Sequence, residues 1–135
     1  MSNEDKFDWC EFYNFANRFS DSDNPAELRC GVSRFYYSAF CICREFVYNH
    51  LYLLDENSKK DMTSGTAKVH RETINFFCNN KKIDQNVGKK IGRELYRIRK
   101  RRYKADYDSS NYNVKYDYAY VKARVNKIFE NLKKL

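Results

Sequence analysis

The sequence has few of the residues that end helices or form tight turns. It contains one proline and four glycines in 135 residues, and an all-β protein would need more turn residues than these. It also has no run of eighteen apolar residues, and its first eight residues are mostly polar and acidic. The scarcity of turn residues predicts an all-α fold. The other two features predict a cytoplasmic protein without a membrane span or signal peptide.

Cysteine is present, but in a pattern that indicates neither disulfides nor zinc. The five cysteines are an odd number, and no two of them have the CxxC spacing. Disulfide-rich domains usually carry an even number, and structural zinc sites use closely spaced ligand pairs. No glycine-rich phosphate loop is present either. We therefore expect buried, reduced thiols, no metal ion and no cofactor.

Apolar residues recur every three or four positions over most of the chain, which is the helical period. This pattern predicts helices at about 3–18, 25–54, 68–79 and 84–105, and a fifth that contains residues 118–132. Asn24, followed by Pro25 and Glu27, has the form of a helix start with a capping box. Residues 55–67 are predicted to form an exposed loop. The expected architecture is one domain over residues 1–135, a single antiparallel bundle of four to five helices.

The net charge of +8 originates in one segment. Residues 81–104 carry eleven basic and two acidic side chains, whereas residues 1–80 carry nine basic and twelve acidic ones. So dense a basic stripe favours a polyanion, because each phosphate contact releases condensed counterions. The alternative is a solvated helix face without a partner. The predicted RNA-binding residues are Lys89, Lys90, Arg93, Arg97, Arg99, Lys100, Arg101 and Lys104.

A few charged residues lie on helix faces that are otherwise apolar. Arg102 completes the apolar stripe of the fourth predicted helix, and Asp106, four residues later, shares its face. Together with Arg34 they indicate either a buried ion network between two helices or a cleft that binds phosphate. His70 follows a glycine-containing loop, and it belongs either to that cleft or to a hydrogen bond with another helix.

Tyrosines accompany these arginines. Tyr36, Tyr37, Tyr96, Tyr103 and Tyr107 all lie near arginine in the sequence. Tyrosine with arginine suits the stacking of unpaired RNA bases. The alternative is that these rings belong to the core, with their hydroxyl groups at its edge.

Three segments in order resemble small prokaryotic HEPN proteins, all-helical domains often found in toxin–antitoxin and defence loci. Residues 27–40, ELRCGVSRFYYSAF, are similar to their LR-x3-SR-x-YYA-x-F helix. Residues 95–107, LYRIRKRRYKADY, are similar to their L-x2-LR-x2-R-x2-ADY segment. Between the two, His70 and Phe76 match an H-x5-F pattern. Order and spacing agree over roughly residues 12–107.

The resemblance implies a helical bundle that commonly forms a homodimer, with polar residues of two helices meeting in a cleft. Many HEPN proteins are metal-independent ribonucleases, in which a histidine moves a proton and an arginine holds the scissile phosphate. Their usual Arg-x4-6-His histidine is absent at the expected helix, where Tyr107 stands five residues after Arg102. Arg44 and His50 have this spacing, but on a different helix. The catalytic residues that the resemblance implies here are Arg102, His70, Arg34, Asp106 and Tyr107.

Two functional hypotheses follow. The first is an RNA-directed HEPN protein of a prokaryotic defence or toxin–antitoxin system, either a metal-independent ribonuclease or a relative that has lost the activity. The second is a non-catalytic interaction module that pairs with a nucleotidyltransferase or an effector protein. RNA binding weakens steeply with added salt, whereas an apolar interface between helical bundles does not, so salt dependence separates the two.

Overall fold

The computed structural model of this protein describes residues 6–135. Every regular element in that range is helical, which confirms the all-α prediction. The elements are α1 (Cys10–Asn17), α2 (Pro25–Tyr48), a single 3-10 turn (Leu51–Leu53), α3 (Glu56–Met62), α4 (Lys68–Asn79), α5 (Gln85–Tyr107) and α6 (Val114–Leu132).

The predicted count of four to five helices was wrong, because six α-helices form within residues 6–135. The additional one is α3, inside the segment predicted to be a loop. Asp55 caps it by accepting a hydrogen bond from the backbone N–H of Ser58 at 2.8 Å. Met62 is its one buried residue, so α3 has no apolar periodicity that sequence analysis can detect.

Two predicted helices are shorter in the structure. α1 begins at Cys10 rather than near residue 3, although residues 3–5 lie outside the described part of the chain. α2 ends at Tyr48 rather than near residue 54, because the chain continues into the 3-10 turn. The leucines after Tyr48 pack against the core from this turn, which preserves the apolar pattern without an α-helix.

The start of α2 has the predicted cap in a modified form. The Asn24 side chain accepts hydrogen bonds from the N–H groups of Ala26 at 2.9 Å and Glu27 at 3.2 Å. The Glu27 carboxylate does not return to Asn24 as a capping box would require. It accepts a hydrogen bond from the Ser22 hydroxyl at 2.7 Å instead. Two of the N–H groups that every helix leaves unpaired at its start are thereby satisfied.

α2 is the central helix, and it packs against α1, α4, α5 and α6. Burying one large apolar side chain contributes roughly 1.5–3 kcal/mol to the free energy of unfolding. The fully buried apolar side chains between the helices therefore supply most of the stability. No helix within residues 6–135 is long and apolar enough to cross a membrane. The largest fully buried side chains are Tyr36, Phe35, Phe76, Phe77, Met62, Ile91, Leu95, Ile98 and Ile128.

The cysteines are all free thiols, but the prediction that they are buried was wrong for two of them. Cys41 and Cys43 are buried, Cys78 is partly buried, and Cys10 and Cys30 are exposed. Cys10 opens α1, and Cys30 lies on the outer face of α2. Burial raises the pKa of the Cys41 and Cys43 thiols, which keeps them protonated and unreactive.

Arg29 of α2 fixes the C-terminal end of α5. Its guanidinium donates hydrogen bonds to the carbonyl oxygens of Ala105 at 3.2 Å, of Asp108 at 2.5 Å and of Ser110 at 2.9 Å. The last carbonyls of a helix have no partner within the helix. Arg29 therefore provides hydrogen-bond donors for carbonyl oxygens at the C-terminal end of α5, and it fixes the position of α5 along α2.

Two glycines let α4 and α5 approach closely. A Cβ atom at Gly88 would lie 2.5 Å from the carbonyl oxygen of Phe77, and at Gly92 it would overlap the side chain of Cys78. The obstacle at Gly88 is backbone, which cannot move aside as a flexible side chain can.

We expect Gly88→Ala to destabilise the protein by about 1–3 kcal/mol, because it overpacks the α4–α5 contact. Alanine normally favours a helix over glycine by about 1 kcal/mol, so the sign is opposite to intrinsic propensity. Urea unfolding monitored by circular dichroism measures the change. Asn86→Ala, at an exposed position of the same helix, is the control and should not destabilise. A Gly88→Ala protein as stable as the wild type would contradict the close approach.

Candidate functional site

His70 lies in the first turn of α4, and its side chain packs against α2. Its Nδ1 atom lies 2.7 Å from the phenolic oxygen of Tyr36. Its ring stacks on Phe40 with 4.0 Å between centroids and 9° between planes. Tyr36 and Phe40 are four residues apart, so both project from the same face of α2. This contact of His70 with another helix was one of its two predicted roles.

Arg102 approaches the same rings from α5. Its guanidinium carbon lies 5.6 Å from the ring centroid of Tyr36 and 5.5 Å from that of Tyr37. It donates to the Asp106 carboxylate at 3.3 Å, so the predicted Arg102–Asp106 pair is present. The buried Nε atom has no partner among the described residues. A guanidinium has five N–H donors, and apart from the bond to Asp106 most of those of Arg102 have no partner among the described residues, although its side chain is only 11% exposed.

Arg34 does not join this pair, contrary to the predicted network. The α2 residue that contacts Asp106 is Ser33, whose hydroxyl donates to the carboxylate at 3.3 Å. Arg34 is rotated by about 100° around the helix from Ser33. Its guanidinium lies between the rings of Phe12, at 4.7 Å, and Tyr37, at 5.0 Å.

Arg44 is a site residue that the sequence analysis missed. It packs against the rings of Trp9, Phe40 and Tyr48 at 5.3–5.8 Å, and its buried Nε has no partner in residues 6–135. Its spacing from Phe40, four residues, could have placed it on the His70 side of α2. In the sequence Arg44 stood out only for its spacing from His50, and the two residues line different pockets.

The arginines of this region have almost no acidic partners. Arg34, Arg44 and Arg99 form no ion pair within 4.0 Å with any carboxylate in the described range, and Arg102 has Asp106 alone. Like charges held close together in a partly dry environment repel one another. A bound anion would relieve this repulsion.

Burial and the surrounding positive charges keep His70 neutral. Burial, followed by the positive charges of Arg99, Arg102 and Arg44, lowers the pKa of His70 from 6.5 to about 4. Burial also raises the pKa of the Tyr36 phenol, which stays protonated. Nδ1 of His70 is the one hydrogen-bond partner of this fully buried phenol within residues 6–135. An unsatisfied buried O–H is costly, so we assign Tyr36 as the donor and place the ring proton of His70 on Nε2.

Two adjoining clefts open at this site. The inner cleft, about 320 Å³, contains His70 and Arg44 and is closed on one side by residues 65–67. The outer cleft, about 570 Å³, lies along the C-terminal half of α5. No carboxylate of the described residues lines either cleft. Ala67 borders both of them. The remaining residues of the outer cleft are Tyr96, Arg99, Lys100, Arg102, Tyr103 and Tyr107.

Tyr107 lies in the outer cleft rather than in an ion network. Its side chain is 66% exposed, and its ring contacts that of Tyr103 with 4.8 Å between centroids. It forms no hydrogen bond with Arg34, Arg102 or Asp106, so the geometry gives no support to the catalytic role that the resemblance implies for Tyr107. Because Asp106 faces α2, its neighbour Tyr107 is directed away from α2.

The predicted basic stripe is split over several faces of α5. Of its eight residues, Arg99 and Lys100 line the outer cleft. Arg101 forms an ion pair with the buried Asp117 of α6, and Arg97 donates to Glu94 at 3.1 Å. Lys104 lies over the ring of Tyr112 at 4.1 Å. The remaining residues, Lys89, Lys90 and Arg93, are exposed near the start of the helix.

Comparisons of this chain with models of protein families, with curated proteins and with solved structures return no match.

We expect Arg101→Met to destabilise the protein by roughly 2–3 kcal/mol, because it leaves Asp117 buried without a counter-charge. The Asp117 side chain is 4% exposed, whereas that of Arg101 is 34% exposed, so the loss falls below that for a fully buried pair. Thermal unfolding at one pH measures it. Lys100→Met removes the same charge from an exposed neighbour and should change stability little. Equal stability of the two variants would contradict a structural role for Arg101.

We expect the two-histidine NMR spectrum to show His70 titrating near pH 4 rather than near 6.5. The His50→Gln variant assigns the signals. The unfolded chain takes up this proton near pH 6.5, whereas the folded chain resists until about pH 4. The stability that neutral His70 contributes is therefore complete above pH 6.5 and is lost as the pH falls towards 4.

The stability difference between wild type and His70→Gln checks the same linkage, because other titrating groups cancel. It should shrink between pH 7 and pH 5. A constant difference, or a His70 signal that titrates near pH 6.5, would contradict the arginine-surrounded, half-buried environment.

Proposed function

We propose that this chain is an RNA-binding protein of the HEPN type, and that an RNA phosphate binds beside His70 where the two clefts adjoin, between Arg44 of the inner cleft and Arg99 and Arg102 of the outer cleft. The observation that carries the proposal is that, of these three arginines, only Arg102 has a carboxylate partner among the described residues, Asp106. A phosphodiester anion would offset the repulsion between the arginines. Its oxygens would accept charge-assisted hydrogen bonds from their unpaired N–H groups. Arginine is suited to this task because its planar fork matches phosphate oxygens.

The contacts between the HEPN-like segments also support the proposal. Tyr36 and Ser33 come from the first segment, His70 from the middle one, and Arg102 and Asp106 from the last. They meet through the Tyr36–His70 and Ser33–Asp106 hydrogen bonds and the Arg102–Asp106 pair. On this proposal the protein acts in a prokaryotic defence or toxin–antitoxin system. The homodimer that the resemblance implies stays a prediction.

One observation favours a second activity, metal-independent cleavage of the bound RNA. Nδ1 of His70 is held by Tyr36, whereas Nε2 has no hydrogen-bond partner among the described residues. A bound phosphate would offset the arginine charges that lower the pKa of His70 and so would allow the ring to take up a proton. In this reaction the ribose 2′-hydroxyl gives its proton to solvent water and attacks phosphorus, a 2′,3′-cyclic phosphate forms, and the bond to the 5′-oxygen breaks. Arg102 would hold the phosphate, and His70 would protonate the leaving 5′-oxygen.

We expect fluorescence anisotropy with a labelled single-stranded RNA to show binding that weakens steeply with salt. Arg99→Gln should lower the affinity and reduce the slope of log K against log salt by about 0.7, the value for one single-strand phosphate contact. Arg99 has no ion pair with any carboxylate of residues 6–135, so this variant should fold normally. Arg44→Gln should act in the same direction.

Arg18→Gln is the matched control, since Arg18 is an exposed arginine at the end of α1. It should leave both affinity and slope unchanged. Absence of salt-dependent RNA binding by the wild type would overturn the proposal. Equal effects of Arg18→Gln and Arg99→Gln would reduce it to non-specific attraction by net charge.

Cleavage is tested separately with RNA in EDTA. A ribonuclease that uses His70 should release fragments ending in a 2′,3′-cyclic phosphate, and His70→Gln should lose this activity while His50→Gln keeps it. Binding without cleavage would exclude the ribonuclease and leave a non-catalytic module. A pull-down with a candidate nucleotidyltransferase or effector chain would then test the interaction hypothesis.

A further inference from the structure

Three tyrosines along the outer cleft expose far more of their rings than a core tyrosine does. Tyr96 is 52% exposed, Tyr103 is 62% exposed and Tyr107 is 66% exposed. Their spacing of seven and then four residues places all three on one face of α5. With a rise of 1.5 Å per residue this face extends for about 16 Å. We call these three residues the tyrosine track.

The track lies in a strongly positive environment. Arg99, Lys100 and Arg102 line the same cleft, and no carboxylate of residues 6–135 does. A second copy of this chain that docked through the same face would bring the same positive charge and be repelled. An acidic peptide would satisfy the cations, but it would offer no planar group to the tyrosine rings. Single-stranded RNA offers both phosphates and flat bases.

We infer that the tyrosine track is a base-stacking site for single-stranded RNA, with bases on Tyr103 and Tyr107 and phosphates on Arg99, Lys100 and Arg102. This inference rests on the proposed function and adds to it the strandedness of the substrate. Tyr96 already has the Lys100 ammonium 4.3 Å from its ring centroid. Among the aromatic residues described, the rings of Tyr103 and Tyr107 contact only each other. We therefore assign the stacked bases to these two rings.

The track leads towards His70. Arg102 lines the outer cleft and also contacts the ring of Tyr37, which lines the inner cleft. Ala67, at the start of α4, borders both. A strand whose bases stack on the track therefore has its next phosphates beside the arginines that surround His70. Bases in a duplex are stacked within the helix and cannot reach the rings, so a paired RNA is not held in this way.

The test compares a labelled 12-nucleotide oligo(U) with a 12-base-pair RNA duplex, using anisotropy at fixed salt. The single strand should bind more tightly than the duplex. Tyr103→Leu and Tyr107→Leu should each weaken oligo(U) binding by about tenfold, with no change in the salt dependence, because no phosphate contact is removed. Tyr107→Phe, which keeps a ring, should bind more tightly than Tyr107→Leu. All three positions are exposed, and unfolding curves verify that the variants fold.

Tyr116→Leu is the control, since Tyr116 is 60% exposed but lies on α6, outside the cleft. It should leave oligo(U) affinity unchanged. Wild-type affinity in Tyr103→Leu and Tyr107→Leu, with weakened binding in Arg99→Gln, would overturn the stacking site and leave the proposed RNA binding intact. Tighter binding of poly-glutamate than of oligo(U) would assign the cleft to an acidic protein. Failure of the wild type to bind any RNA would overturn both proposals.

Discussion

The contact of Arg29 with the end of α5 determines where the candidate site forms. Arg29 lies one turn before Ser33 on α2, and it binds the carbonyl oxygens of Ala105, Asp108 and Ser110. This anchor fixes the register between the two helices, so that Ser33 meets Asp106. Arg102, one turn earlier on α5, is then opposite the rings of α2. A shift of α5 by one residue would turn Arg102 by about 100° and break its contacts with the rings of α2.

The second constraint is electrostatic. Aromatic rings hold the arginines of the site where carboxylates would ordinarily do so, and the guanidinium of Arg34 between two rings is an example. Cation–π contacts stabilise a charge without neutralising it. The cleft therefore keeps its positive potential, which adds to the effect of burial in lowering the pKa of His70. On the face of α5 that packs against α6, the buried carboxylate of Asp117 neutralises Arg101. One helix thus carries a neutralised structural face and an unneutralised cleft.

Parts of this site could be predicted from the sequence because they depend on positions along one helix. The Arg102–Asp106 pair follows from a spacing of four residues, and the cap at Asn24 follows from local chemistry. The failures involve partners that are distant in sequence. Arg101 was grouped with the RNA-binding residues because its partner, Asp117, lies on α6. Arg44 was considered only for its spacing from nearby His50, whereas it lines the same cleft as His70 on α4.

The sequence by itself determined the helical class and most of the helix positions, because turn residues are scarce and apolar residues recur with the helical period. It also determined that positive charge is concentrated in one segment. Tertiary structure alone decided which of those charges are neutralised, which tyrosines remain exposed and which histidine the arginines surround. The physical reason is that charge and burial act through space. A side chain acquires its neighbours only when helices far apart in the chain pack together.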